Sequence, residues 1–325
     1  MEKVRVAFIG AGALASRYHY PSVTSLPDVE IVAIAELNPE RARAVTEKYG
    51  ITKTYSDYRQ MLAEVDPQAV YVIMPPQYLF EPVNFALKQG RNVFIEKPFG
   101  MSTDQARHLA YVAETNGCTT QVGFQRRFIP AMTDLKRRVE ERGPIHTVSV
   151  SFLKPTPDLS RPAGLYDGVI DPLRCDGIHA VDNLRWLAGG DVERVASDTK
   201  IRYIPGTMAN AVTAYVTFSN GAVGLLHFSY VTGRRIFRAE LHGQNVTAYV
   251  DADRDSYLVA DGKAPEVHES KEFGKELGGQ EHHWLGFWHE HRSFIDCIQE
   301  GRQPSCNFSD AVKTMELVDR IYQNR

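Results

Sequence analysis

Hydrophobic and polar positions divide the chain into two stretches with different rhythms. Through residue 122, short β-branched runs alternate with amphipathic ones. Val4 to Ile9, Glu30 to Ala35, Ala69 to Met74 and Asn92 to Ile95 read as strands, with helical periodicity between them. These runs are apolar at nearly every position, which predicts burial on both faces, as in a parallel sheet covered by helices on each side. Gly50, Gly90 and Gly117 each follow the last periodic residue of a helical stretch, where a helix C-cap belongs.

After about residue 123 the strands follow one another instead, at 147–152, 211–218, 222–230 and 237–243, with Asn220-Gly221 placed as a hairpin turn. One helix is expected around His179 to Leu187. Two more close the chain, at Trp288 to Glu300 and Asp310 to Gln323, with Gly301 and Pro304 between them. The expected fold class is α/β. Residues 1–122 form an N-terminal Rossmann domain with a doubly wound parallel sheet. Residues 123–325 form a C-terminal α+β domain with a large, mainly antiparallel open sheet for substrate binding and oligomerisation, the last helix packing back near the Rossmann domain.

Charge and cysteine content then remove whole classes of function. A net charge of -3 without clustered Lys and Arg argues against nucleic acid, because neutralising phosphates requires such clusters. Cys118, Cys175, Cys297 and Cys306 are dispersed without a CxxC pair, so neither a zinc knuckle nor a disulfide framework is expected. No apolar stretch is long enough to span a bilayer, and the chain passes from Met1 straight into a strand-like run without a secretory signature. A cytoplasmic protein with no membrane partner is the expectation.

The candidate chemistry begins directly after the first strand. Gly10-Ala11-Gly12-Ala13-Leu14-Ala15 is a GxGxxA turn opening a helix. Gly10 permits the tight turn, Gly12 lets the backbone approach a pyrophosphate, and Ala15 allows close helix–strand packing, while Ala13 and Leu14 bring the helix N-terminus to the phosphates. Glu36, ending the second strand, is placed to hydrogen-bond a ribose and to repel the extra phosphate of NADP. NAD is therefore favoured over NADP, although Arg41 and Arg43 lie nearby. Met74 and Pro75, where the third run gives out, belong to the same crevice at the carboxyl ends of the strands.

A further strand ends in Phe94-Ile95-Glu96-Lys97-Pro98. Lys97 projects toward the nicotinamide side of such a crevice, where a partly dry setting suits acid/base chemistry, and Glu96 is a further cofactor contact. Pro98 restricts Lys97 to extended geometry and permits a cis bond. A second constellation is Asp176, His179 and Asp182 at the start of the inserted helix. Asp176 or the helix start is placed to orient His179, and Asp182 shares its helical face. Tyr166, in the loop before it, is a candidate for lining a substrate pocket. The segment Glu281-His282-His283 through His289-Glu290-His291 is rich in metal-ligand types, but it leads into a helix where His289 and His291 cannot share a face, so no metal is expected.

Together the GAGALA turn, the EKP tripeptide at Glu96 to Pro98, the GFQRRF segment at Gly123 to Phe128 and the GIHAVD stretch resemble the Gfo/Idh/MocA oxidoreductases, over essentially the whole chain. The resemblance implies that Lys97 and His179 work at the substrate, that Gln125 and Arg126 lie near nicotinamide and substrate, and that hydride passes between NAD and a hydroxyl or ketone carbon. The substrate it implies is a small carbohydrate or polyol, such as a sugar or an inositol. A homodimer or homotetramer is implied as well. Two departures stand out: Cys175 occupies the place of an aspartate four residues before His179, with Asp176 as a substitute, and Leu79 replaces a frequent histidine. An NAD-dependent redox-assisted glycosidase and a non-catalytic NAD-responsive regulator are the alternatives on the same fold.

Overall fold

The run VRVAFI becomes strand β1 (Val4–Ile9), buried at every position except Arg5 because helices cover both of its faces. With β2 (Val29–Ala35), β3 (Thr54–Tyr55), β4 (Ala69–Val72), β5 (Asn92–Glu96) and β6 (Thr120–Gly123) it forms one parallel sheet in the order β3-β2-β1-β4-β5-β6. A π-helical turn, Ala15–His19, runs into α1 (Tyr20–Thr24). The crossovers then supply α2 (Pro39–Tyr49), α3 (Tyr58–Val65), α4 (Phe80–Lys88) and α5 (Thr103–Thr115). Local chemistry sets the ends of α2: the Asn38 side chain accepts from the Glu40 and Arg41 N–H groups, Pro39 opens the first turn, and Gly50 closes it at φ 69°. Strand order reverses between β1 and β4, so the loops after these two strands diverge and leave a crevice at their carboxyl ends.

The computed structural model describes residues 2–156, 158–160 and 170–324. They divide into two units: Met1–Phe124, Glu281–His283 and Phe287–Val312 form the first, and Gln125–Gln280, Trp284–Gly286 and Lys313–Arg325 the second.

The second unit carries α6 (Pro130–Glu140) near its start and is built on an eight-stranded sheet. Its strands are β7 (Thr147–Leu153), β8 (Val192–Lys200), β9 (Ala211–Phe218), β10 (Val223–Ser229), β11 (Ile236–Gly243), β12 (Val246–Asp251), β13 (Asp255–Ala260) and β14 (Glu266–Glu269), in the order β14-β13-β12-β11-β7-β10-β9-β8. Neighbours are antiparallel except β7 and β10, which run parallel. Alternation along β7 buries Val148, Val150 and Phe152 and leaves the intervening residues half-exposed, so one face of the sheet is covered. The cover is α6 on β11 and β12 together with α7 (Ile178–Ala188) on β7 and β10. Asn220 and Gly221 make the expected hairpin between β9 and β10, Gly221 at φ 83°.

Strands β8 and β14 escaped the sequence pattern for one reason: they are the sheet's two edges, β8 burying only Val195 and β14 nothing, so neither carries an apolar stripe. The chain closes with α8 (Glu281–Trp284), α9 (Phe287–Glu300) and α10 (Phe308–Gln323). Phe294 and Ile295 of α9 join Val6, Phe8, Tyr71 and Phe94 in the core of the first unit. Among the described residues no helix is long and apolar enough to cross a membrane.

Candidate active site

In the first unit the crevice begins at Gly10, whose φ of 106° is strained for any residue with a Cβ. A methyl group there would meet the Ile73 carbonyl oxygen at 2.2 Å. Gly12 differs: a Cβ on it would meet nothing within 4 Å, so the protein's own packing does not require glycine at that point. The open space in front of Gly12 fits the approach of a cofactor phosphate, the role expected of it. Ala15 is fully buried against the sheet, whereas Ala13 and Leu14 stand exposed at the mouth of the turn.

Glu36 ties this turn to the second strand. Its Oε2 accepts from the Ala11 N–H at 2.7 Å and its Oε1 from the Asn38 N–H at 2.8 Å. Gly10, Gly12, Glu36, Met74 and Pro75 all line one cavity of about 900 Å³, with Arg41 among the residues around it. That volume falls in the range of small-molecule and cofactor sites. Leu79, standing where the family resemblance led us to expect a histidine, is buried in the core.

At the carboxyl end of β5, Lys97 is half-buried and the Lys97-Pro98 peptide is cis. The Lys97 N–H lies 3.1 Å from Glu96 Oε2. Glu96 itself is buried, with Oε1 3.0 Å from His19 Nε2 at an angle short of a hydrogen bond. A Cβ on Gly123 would come within 2.8 Å of the same Oε1, so the glycine makes room for this carboxylate.

In the second unit, Gln125 and Arg126 begin a 3-10 turn, Gln125–Phe128, and both are buried. The Arg126 guanidinium lies 3.9 Å from the centre of the Phe237 ring, and burial together with nearby Arg235 pushes its pKa down to about 9. Asp176, also buried, acts on Arg126 with the opposite sign. It forms an ion pair with Lys154 and accepts from the Tyr230 hydroxyl at 2.9 Å. Burial and this carboxylate raise the Tyr230 pKa.

His179 is buried in the first turn of α7. Gly177 just before it is compelled by space, since a Cβ would meet the Phe228 ring at 2.8 Å. Asp182 does not serve His179 as its shared face suggested: its oxygens are engaged by Arg127 Nε at 2.7 Å and Thr314 Oγ1 at 3.0 Å. Tyr166 lies outside the described residues. Lys154 and Tyr230 were not singled out from sequence, yet each stands where a strand gives out, the position that drew attention to Lys97.

Two profiles of one family match the chain. "Oxidoreductase family, NAD-binding Rossmann fold" covers residues 4–124, and "GFO/IDH/MocA C-terminal domain" covers residues 135–249. The chain belongs to the GFO/IDH/MocA oxidoreductase family. Among its relatives, scyllo-inositol 2-dehydrogenase (NAD(+)) of Bacillus subtilis (strain 168) is 26% identical over 329 residues, 97% of this chain and 92% of that protein. D-glucoside 3-dehydrogenase of Escherichia coli (strain K12) is 34% identical over 136 residues, 42% of this chain and 39% of that protein. A solved structure of levoglucosan dehydrogenase in complex with NADH and L-sorbose shares the fold, with a TM-score of 0.88 at 20% identity, covering 100% of this chain and 97% of that one. As a GFO/IDH/MocA member the chain carries an NAD-binding Rossmann fold.

Proposed function

We propose that this GFO/IDH/MocA protein is an NAD(H)-dependent dehydrogenase or reductase acting on CH–OH groups, its substrate a sugar, polyol or inositol-like molecule. The observation that carries this reading is the half-buried Lys97 at the carboxyl end of β5, on the sheet edge where the glycine turn and Met74-Pro75 form the nucleotide cavity. When bound, the nicotinamide supplies or accepts the hydride. Lys97 takes the proton of the substrate hydroxyl in one direction and returns it to the alkoxide in the other, while His179 hydrogen-bonds the same oxygen or relays the proton. Arg126, Asp176 and Tyr166 bind the substrate's remaining hydroxyls, and Gln125 contacts the cofactor. NAD is preferred to NADP because the Glu36 carboxylate meets the ribose. Residues 123–325 serve substrate binding and assembly into a homodimer or homotetramer through the open sheet, and the protein works in the cytoplasm, in keeping with four buried cysteine thiols.

The test is a nicotinamide absorbance screen of polyols, aldoses, ketoses and uronic acids with NAD and with NADP. Turnover of at least one such class with NAD is expected, and none with any of them sinks the proposal. On the substrate so found, Lys97→Met lowers kcat by about 10²–10⁴ while NADH affinity stays near wild type. Parallel loss of affinity and turnover would make Lys97 structural.

A further inference from the structure

We propose that the first unit holds a divalent transition-metal ion, zinc by the chemistry of its ligands, between His19, Glu290 and His291. His19 ends the π-helical turn after the glycine turn, and Glu290 and His291 are neighbours on α9. All three are fully buried, at 0% exposure. His19 Nδ1 and His291 Nε2 are 3.0 Å apart, and one ligand atom from each of the three residues lies within 4.8 Å of the others. A tetrahedral zinc with bonds near 2.0–2.1 Å separates its ligand atoms by about 3.3 Å, so the imidazole pair is already close to that spacing and the carboxylate needs to move inward by at most about 1.5 Å.

The second observation is what Glu290 lacks. Neither of its carboxylate oxygens has a hydrogen-bond partner among the described residues, and His291 Nδ1 has none either. Buried carboxyl groups are almost always satisfied, so an orphan pair of oxygens facing two imidazoles points to an occupant. Gln121 lies alongside, its Nε2 donating to the Glu290 carbonyl oxygen while its Oε1 is also unpartnered.

Glu96 supplies a third argument. Its Oε1 is 3.0 Å from His19 Nε2, the ring nitrogen that does not face His291, so a small turn of the ring would make the carboxylate–histidine hydrogen bond that commonly orients a metal-bound histidine. Two carboxylates would balance a dication. Two imidazole nitrogens among the donors favour zinc over magnesium or calcium, which take oxygen ligands. His289 and His291 cannot share a helical face, but the second imidazole comes instead from His19, 272 residues earlier. Such an ion would fasten the start of α1 to α9 and is independent of the substrate reading.

The full chain, stripped with EDTA, is loaded with zinc chloride, gel-filtered and assayed for metal by mass spectrometry, and in parallel titrated with cobalt(II). We expect about one zinc retained per chain and a cobalt absorption shifted and intensified relative to the aquo ion, as imidazole and carboxylate ligands replace water. Glu290→Gln, nearly isosteric, should abolish both, and Glu96→Gln should weaken binding about 10–100-fold. No retained zinc, or a cobalt spectrum unchanged from the aquo ion, overturns the proposal whether or not the variants fold. Retention undiminished in a folded Glu290→Gln chain also overturns it, since the metal would then sit on surface histidines.

Discussion

Two glycines two residues apart, Gly10 and Gly12, show how differently one residue type can be required. Gly10 is demanded by the protein itself, through a positive φ and the Ile73 carbonyl 2.2 Å from any Cβ. Gly12 faces open space. Gly10→Ala should therefore cost about 2 kcal/mol or more of stability in urea unfolding. Gly12→Ala should unfold like wild type but bind NADH about tenfold more weakly, ~1.4 kcal/mol. Equal stability losses in the two would refute the distinction. Glu36 accepts two backbone N–H bonds, so part of its task is to hold the turn. Its second task is testable: Glu36→Ser should lower the NAD/NADP ratio of kcat/KM by about tenfold or more. An unchanged ratio in steady-state kinetics would leave only the turn-holding role.

Between elements, the decisive contact in the second unit is the buried ion pair of Arg127 and Asp182, 2% and 0% exposed. It joins the Gln125–Phe128 turn to α7, and Thr314 of α10 closes the third side. Replacing Asp182 with Asn removes the charge that meets this buried guanidinium at Nε and Nη2, at a cost of about 3–5 kcal/mol. Chemical denaturation of Asp182→Asn checks this, and a loss under 1 kcal/mol would mean that the site relaxes or admits water. From sequence Asp182 was legible as a helical-face neighbour of His179, because periodicity reports which side of a helix a residue occupies. Its actual partner lies 55 residues away, and periodicity carries no information about that. The same holds for Lys154 and Tyr230 around Asp176, which come from two strands paired in register by the sheet.

At the scale of the whole molecule, buried imidazole should make stability fall in acid. Burial, with His283 beside it, pushes the His282 pKa from 6.5 down to about 4. The unfolded chain then binds more protons than the folded one between those values. This contribution is complete above pH 6.5 and is lost as pH falls toward 4. Urea midpoints of the EDTA-treated chain at pH 7, 5.5 and 4.5 should fall in that order, and His282→Asn should flatten the trend; an equally steep trend in the variant assigns it to other groups. Sequence alone determined the parallel sheet, the glycine turn with Glu36, the Lys97-Pro98 strand end and the antiparallel second half, because each is written in local periodicity or in backbone demands of adjacent residues. Tertiary structure decided which polar groups meet: His19 with His291, Arg127 with Asp182, Lys154 and Tyr230 with Asp176. The physical reason is that a buried polar group takes its partner from whatever segment packing brings within about 3 Å, however distant in sequence.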